Sequence, residues 1–222
     1  LEKNALKWAD AITVPSKEMY EEYTKNGYKV SYVPNAIDIS SFSHDEDRRY
    51  QKQLIYAGRL SEEKGILDLL NFLKILSKDI HLMILGSGPE ESKVKVMAKR
   101  FPNLHFLGYQ SKENTIKLIR GSDMLIQPSL MEGGTSSTIL EAMACKTPII
   151  ATSVDGNKDT IIHMKTGYVV ASNNPPEIDN AVNYLFNNPE KLKIIINNAY
   201  DLVSNYDWEH VGQKYLDVYN SI

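Results

Sequence analysis

The chain has 222 residues, of which 42% are hydrophobic and 24% charged, and this composition excludes a disordered protein. The formal net charge is −3, so the chain as a whole does not attract phosphate backbones, and we expect no nucleic-acid partner. The single cysteine, Cys145, excludes a disulfide framework, which suits a reducing compartment. No stretch approaches the roughly 20 apolar residues that cross a bilayer, so we expect a cytoplasmic location.

The first 39 residues predict a small unit of helices and short strands. Residues 1–9 have a helical pattern, and 16–25 form a helix that Ser16 caps and Asn26-Gly27 ends. Short strands are expected at 11–14 and 29–33. Because the chain starts inside a helical pattern, we expect it to be a fragment of a longer protein.

A polar connector follows at 40–52. It contains Asp45-Glu46-Asp47, an acid pair spaced as in enzymes that hold a divalent metal between carboxylates and a diphosphate. The pair does not end an apolar strand, so a solvated acidic linker is the better interpretation.

The five histidines are scattered, and His81 and His105 alternate with apolar residues as structural positions do. We therefore predict no metal site.

From residue 53 onward, short apolar runs alternate with amphipathic helical patterns. Such alternation is typical of an α/β protein with a doubly wound parallel sheet, which is the fold class that we predict. Strands are predicted at 53–57, 81–85, 104–107, 124–127, 148–151 and 167–170. The intervening helices are predicted at 66–77, from the turn at 86–89 to residue 100, at 112–119, up to residue 145, and at 155–163.

Three helices are predicted to finish the chain, at 176–186, 189–206 and 207–222. The last has a broad apolar face for so terminal a segment. Packing on its own sheet is the simpler expectation, and docking on a domain outside this chain is the alternative.

Glycine follows four of the predicted strands, as Gly58, Gly86, Gly108 and Gly133. The carboxyl ends of parallel strands share one edge of the sheet, and glycine there lets a ligand approach the backbone. In any one loop the alternative is simple turn geometry. The third glycine of a dinucleotide fingerprint is missing because residue 91 is glutamate, and no NTPase phosphate loop occurs.

Arg59 and Lys64 follow the first strand of the main domain, and Lys64 stands at the start of a predicted helix. A cation at that position opposes the helix dipole, which a purely structural role does not explain. Two cations over the sheet edge would neutralise a diphosphate, Arg59 through bidentate bonds and Lys64 as a point charge. The alternative is ordinary surface charge.

The segment 128–151 combines an acid, Glu132, with two glycines, a run of hydroxyl side chains and a second acid, Glu141. It is predicted to form a turn, a helix and a strand, so the helix N-terminus would face an anion at the ligand-binding edge. The alternative is a capping box, in which Thr138 and Glu141 only satisfy the first turn of the helix.

These turns form an ordered set of motifs, which are Gly58-Arg59-Leu60-Ser61-Glu62-Glu63-Lys64-Gly65, Leu85-Gly86-Ser87-Gly88-Pro89-Glu90, Phe106-Leu107-Gly108-Tyr109, Pro128-Ser129-x-x-Glu132-Gly133 and Leu140-Glu141-Ala142-Met143-Ala144-Cys145. The set resembles the carboxyl-terminal half of family 4 retaining glycosyltransferases of the GT-B fold. Residues 9–16 and 33–38 resemble the end of that family's amino-terminal domain and its interdomain connection.

The resemblance implies a nucleotide-diphosphate sugar of UDP or GDP type as donor substrate, with no cofactor. Catalytic roles fall to Glu132, Arg59 and Lys64. Glu132 would contact the transferred sugar, Glu141 the ribose hydroxyls, and the backbone at Gly108 and Tyr109 the base. The remaining donor-binding positions are Gly58, Gly86, Gly133, Gly134, Thr135, Ser136, Ser137 and Thr138. Eight residues separate the two glutamates where the family usually has seven, which weakens the assignment of Glu132.

The resemblance also implies a domain organisation. Residues 1–39 would end an amino-terminal domain, 40–52 would link, 53–206 would bind the nucleotide sugar in a Rossmann-like domain, and 207–222 would form a terminal helix. The acceptor would bind in the amino-terminal domain absent from this chain, through which the protein could associate peripherally with the inner face of a membrane. The alternatives are a sugar-nucleotide epimerase of the same fold and a non-catalytic nucleotide-binding or docking module.

Overall fold

A computed structural model describes residues 8–42 and 44–222. The helix expected at 1–9 lies almost wholly outside these residues. Among the described residues, no helix is both long and apolar enough to span a bilayer.

The opening unit consists of two short parallel strands and one helix, β1 (Thr13–Val14), α1 (Lys17–Lys25) and β2 (Ser31–Tyr32). As predicted, Ser16 caps α1, because its side chain accepts a hydrogen bond from the backbone N–H of Met19. Gly27 takes a left-handed φ of 82° just beyond the helix. Both strands are shorter than predicted.

The main sheet has six parallel strands in the order β5-β4-β3-β6-β7-β8. They are β3 (Gln53–Ala57), β4 (His81–Leu85), β5 (Leu104–Gly108), β6 (Met124–Gln127), β7 (Ile149–Thr152) and β8 (Tyr168–Val170). The chain winds outward in one direction from β3 and in the other from β6. The predicted doubly wound sheet is thus confirmed, and its topological switch point lies between β3 and β6, where such folds bind ligands.

Helices cover both faces of this sheet. They are α2 (Ile66–Leu73), α3 (Glu91–Arg100), α4 (Lys112–Arg120), α5 (Ser137–Ala144), α6 (Pro175–Asn187), α7 (Pro189–Val203) and α8 (Trp208–Tyr219). Side chains alternate along β3, so that Leu54 and Tyr56 enter the hydrophobic core on one face and Ile55 and Ala57 that on the other. A strand buried on both faces explains its continuous apolar sequence.

The helix predicted at 155–163 is wrong, since only a 3-10 turn forms at Asp155–Asp159. Its residues have low helix propensity, and tertiary contacts favour the turn. Gly156 lies against the backbone of Gly134, and Asn157 is fully buried and donates from its side chain to the carbonyl of Thr152.

The terminal helix α8 begins next to the segment that leaves the opening unit. Trp208 N–H donates to the carbonyl of Ile37 over 3.1 Å, and the Asp207 carboxylate accepts from the N–H of Ile39. Val211 is buried, whereas Leu216 is 54% and Tyr219 69% exposed. Trp208 is also 54% exposed, so Val211 is the one buried residue of the predicted apolar face, and much of that face is open to solvent.

Candidate functional site

A cleft lies at the carboxyl edge of the sheet, across the switch point. One cavity of about 430 Å³ lies between the loops that follow β3 and β6, and a second of about 440 Å³ extends towards the ends of β4 and β5. The two cavities share Ala57, Gly58, Arg59 and Thr138, so they form adjoining halves of one cleft. This is the edge at which the sequence predicts a ligand.

Glycine allows the loops of the cleft to meet. Gly65 has a left-handed φ of 70°, and a Cβ atom there would lie 1.8 Å from the carbonyl oxygen of Pro128. Gly86 has a φ of 127°, and its Cβ would lie 1.8 Å from the carbonyl oxygen of Gly58. At these two positions a side chain would both strain the backbone and separate neighbouring loops.

The two predicted cations reach the first cavity and have different environments. Arg59 is exposed, and its guanidinium makes no hydrogen bond or ion pair with any residue of 8–42 or 44–222. The Tyr56 hydroxyl donates to its carbonyl oxygen over 2.7 Å, and burial, helped by Glu132, raises the pKa of this phenol, so that it remains a donor. Lys64, in contrast, has a partner, because its Nζ lies 2.6 Å from Oε2 of Glu132.

Glu132 is the most buried acid of the cleft, with its side chain 6% exposed. Its other oxygen, Oε1, accepts from the hydroxyl of Ser129 over 2.7 Å and lies 3.5 Å from Nε2 of Gln127. Gln127 also donates to Ser129, so these residues form a small network that fixes the carboxylate. The sequence reasoning missed Gln127, although a polar residue ending an apolar strand at this edge is a usable signal.

The N-terminus of α5 opens into the same cleft. Ser136 is the N-cap residue and makes no side-chain hydrogen bond to the helix, and Thr138 lines both cavities. The alternative of a capping box at Thr138 and Glu141 is therefore wrong. Both residues lie inside the helix, and its first N–H groups keep their capacity for an anion.

The glycine loop before α5 is held from the opening unit. Nδ2 of Asn35 donates to the carbonyl of Thr135 over 2.7 Å. A Cβ on Gly134 would lie 2.8 Å from Cβ of Pro15, so the two segments are in close contact. The opening unit thus forms one wall of the cleft, which the sequence alone did not indicate.

Glu141 lies one helical turn beyond Thr138, with its side chain 12% exposed. Its partner is Lys112 at the start of α4, whose Nζ lies 3.8 Å from Oε1. Burial raises the pKa of Glu141, and Lys112 opposes the rise. This carboxylate is therefore weakly paired, and it lines neither cavity, since it lies one helical turn beyond Thr138.

The second cavity ends at the predicted base-contacting residues. Gly108 has a φ of 66°, and Tyr109 is 80% exposed with its ring free to stack. Tyr109 and Gln110 line this cavity, and the Gln110 amide donates to the carbonyl of Leu107 over 2.7 Å.

The acid pair at Asp45 and Asp47 lies far from the cleft, at the amino edge of the sheet. Asp47 binds Arg49 over 2.6 Å, and Asp45 lies 3.5 Å from Lys117. Across residues 8–42 and 44–222, no three His, Cys, Asp or Glu side chains gather as metal ligands would.

Cys145 is buried, which raises the pKa of its thiol to about 11 and makes it unreactive.

His81 and His105 contact each other at the same amino edge. Nδ1 of His81 lies 2.9 Å from Nε2 of His105, and the hydroxyl of Tyr50 lies 3.2 Å from Nδ1 of His105. The Tyr50 ring stacks on both imidazoles. These contacts are those of structural histidines, as predicted from their strand positions.

Comparison with known proteins links this fold and its cleft to a known family. A family model described as glycosyl transferases group 1 matches residues 40–202. The chain is similar to the glycosyltransferase MJ1069 of Methanocaldococcus jannaschii, with 26% identity over 96% of this chain and 58% of that protein. It is also similar to the phosphatidyl-myo-inositol mannosyltransferase of Mycobacterium leprae, with 24% identity over 86% of this chain and 53% of that one. The chain thus spans a little over half of these curated relatives.

Solved structures share the fold. HepE of Anabaena, crystallised in complex with UDP-glucose, superposes with a TM-score of 0.85 at 18% identity, over 98% of this chain and 65% of HepE. TarM superposes with a TM-score of 0.82 at 20% identity, over 99% of this chain and 46% of TarM. At these identities the likeness establishes the architecture alone.

Proposed function

Since the chain belongs to the family of group 1 glycosyl transferases, we propose that it is the donor-binding half of a retaining family 4 enzyme. It would bind a nucleotide-diphosphate sugar of UDP or GDP type and transfer the sugar to an acceptor hydroxyl. The observation that carries this proposal is the meeting of Arg59, Lys64 and the N-terminus of α5 in one cleft beside Glu132.

This combination has the chemistry that a diphosphate leaving group requires. The Arg59 guanidinium has no partner within the described residues and can bind two oxygens in its fork, while Lys64 adds a point charge. The uncapped start of α5 adds backbone donors and the positive end of the helix dipole. Such groups stabilise the negative charge that develops as the bond between sugar and phosphate breaks.

Different residues of the cleft would contact different parts of the donor. In our proposal, the sugar lies in the first cavity beside Glu132, the diphosphate at Arg59, Lys64 and the loop 133–138, and the base in the second cavity at Gly108 and Tyr109. Glu141 would approach the ribose from behind Thr138. No cofactor is proposed, and the cytoplasmic location and peripheral membrane association remain predictions.

The comparisons support transfer over the two alternatives. The relatives are named as transferases, and the structure of HepE contains UDP-glucose. None of the relatives named above is described as an epimerase or a docking module. Because the chain spans a little over half of its relatives, we propose that the acceptor binds in the portion that the relatives have beyond this match.

Calorimetric titration with UDP and with GDP tests the donor site. Arg59→Ala and Lys64→Ala each remove a charge-assisted hydrogen bond, so we expect the dissociation constant of the preferred nucleotide to rise roughly tenfold or more. Arg100→Ala and Lys99→Ala, which remove matched charges at the end of α3, should leave it unchanged. Binding of neither nucleotide by the wild type, or equal binding by all four variants, would contradict the proposal.

Mass spectrometry then separates transfer from epimerisation. The donor is incubated with the protein without an acceptor, and the sugar nucleotide is analysed after separation of its epimers. We expect no epimer to accumulate. Conversion of the sugar configuration with the nucleotide still attached would favour the epimerase.

A further inference from the structure

We propose that Asn35 is a positioning residue of the donor site, which orients the peptide at the start of α5 for contact with the diphosphate. This inference rests on the proposed function and goes beyond it, because Asn35 belongs to the opening unit and to none of the donor-binding motifs. It assigns to that unit a role in the chemistry of the cleft.

The geometry begins with one hydrogen bond over a long sequence separation. Nδ2 of Asn35 donates to the carbonyl oxygen of Thr135 over 2.7 Å, and both residues line the first cavity. A peptide unit is planar and trans, so fixing the Thr135 carbonyl also fixes the direction of the Ser136 N–H on the opposite side of the same plane. Ser136 is the N-cap residue of α5, so this peptide is the first that a bound anion meets.

The loop needs such support because its own sequence provides little. Gly133 and Gly134 are consecutive, a Cβ on Gly133 would have no neighbour within 4 Å, and Ser136 forms no side-chain cap. A flexible loop loses conformational entropy when it binds a ligand, and that loss weakens binding. A bond that already holds the loop in place removes part of this loss.

The opening unit is itself held against the main domain by several contacts. The N–H of Lys17 donates to the Asp159 carboxylate over 3.0 Å, and Lys158 forms an ion pair with Glu18. Gly134 lies between Pro15 on one side and Gly156 on the other, where an added Cβ on either glycine would collide with its neighbour. Asn35 thus donates its hydrogen bond from a unit that is in contact with the main domain at several other points.

Asn35→Ala and Asn35→Asp test the inference in calorimetric titrations of the full chain. The probes are UDP or GDP, whichever the wild type binds, and the matching nucleoside without phosphates. We expect Asn35→Ala to weaken binding of the nucleoside diphosphate roughly threefold to tenfold and to leave nucleoside binding unchanged. Asn35→Asp should weaken it at least as much, because a carboxylate cannot donate this bond and repels the diphosphate.

Asn198→Ala is the matched control, because Nδ2 of Asn198 also donates to a backbone carbonyl, that of Lys165, over 3.0 Å. We expect it to bind both probes as the wild type does. If the wild type binds the diphosphate and Asn35→Ala binds it equally well, the inference fails while the proposed function stands. Equal weakening of diphosphate and nucleoside would reduce Asn35 to a structural role, and absence of binding by the wild type would overturn both proposals.

Discussion

At the scale of single residues, Lys64 has two competing uses. In the described structure it forms an ion pair with Glu132 over 2.6 Å, and in the proposed complex it contacts the donor diphosphate. A charge that is already paired binds a second anion less strongly. We expect Glu132, which pairs with Lys64, and Glu141, which lines neither cavity, to affect nucleotide binding in different ways, and each leads to its own prediction.

Glu132→Gln should strengthen binding of the nucleoside diphosphate roughly twofold to tenfold, because it frees Lys64 and removes a negative charge from the cleft. The same change should lower the free energy of unfolding by roughly 1.5–3 kcal/mol, since a charge-assisted hydrogen bond at a mostly buried site is lost. Calorimetry and urea denaturation measure the two effects. Weaker binding by Glu132→Gln would show that Lys64 and Glu132 act on the ligand as a unit.

Glu141→Gln should flatten the dependence of stability on pH. Burial raises the pKa of Glu141 above its ordinary value of 4.5, so the folded protein holds a proton that the unfolded chain has already released. This contribution to the free energy of unfolding is therefore present at lower pH and is lost as pH rises from about 4.5 through the folded pKa. Thermal unfolding from pH 4 to pH 8 should show a smaller fall for Glu141→Gln than for the wild type.

Glu190→Gln, at an exposed position in the first turn of α7, is the control for that series and should follow the wild type. Glu141→Gln should also reduce the preference for UDP over 2′-deoxy-UDP, because its carboxylate is proposed to bind ribose hydroxyls. An unchanged preference would remove Glu141 from the donor site.

At the scale of elements, the cleft depends on how closely two loops approach. The loop after β3 meets the loop after β6 where Gly65 contacts the carbonyl of Pro128, and the backbone N–H of Leu130 donates to the carbonyl of Glu63 over 2.8 Å. These contacts bring Lys64 and Glu132 together. A change in the spacing of the loops would separate the pair without altering either side chain.

Gly65→Ala should lower the free energy of unfolding by at least about 3 kcal/mol, because left-handed strain is added to a collision with backbone. Gly27→Ala is the matched control: its φ is 82°, but a Cβ there would have no neighbour within 4 Å. It should cost only about 1–2 kcal/mol, the strain alone. Equal losses in denaturant titration would mean that the two loops separate without cost.

At the scale of the whole molecule, the terminal helix α8 is joined to the segment that leaves the opening unit. The Asp207 carboxylate accepts from the N–H of Glu209 within α8 and from the N–H of Ile39 across the chain. One side chain therefore caps a helix and also connects two segments that are distant in sequence. This connection lies just beyond the opening unit, which contributes Asn35 to the cleft.

Asp207→Ala should accordingly destabilise the protein by about 2 kcal/mol, the sum of a lost cap and a lost tertiary hydrogen bond. Ser111→Ala, which removes only the cap of α4, should cost about 1 kcal/mol. Urea denaturation of both variants measures the difference. Equal costs would mean that the bond to Ile39 contributes nothing to stability.

The sequence by itself determined the sheet, its parallel strands and the edge that carries the ligand chemistry. These features follow from local patterns: β3 is apolar throughout because both of its faces are buried, and glycine stands where a loop must turn at the sheet edge. Arg59, Lys64 and Glu132 could be placed at one edge because the carboxyl ends of parallel strands coincide there.

Only the tertiary structure decided which of these groups contact each other. The pairing of Lys64 with Glu132, the bond from Asn35 to Thr135 and the pairing of Glu141 with Lys112 all depend on the approach of segments far apart in sequence. The turn at Asp155–Asp159 replaced a predicted helix for the same reason, since it packs against Gly134 and the opening unit. Local periodicity reports which side of an element is buried, but the contact between two elements is fixed only when the whole chain packs together.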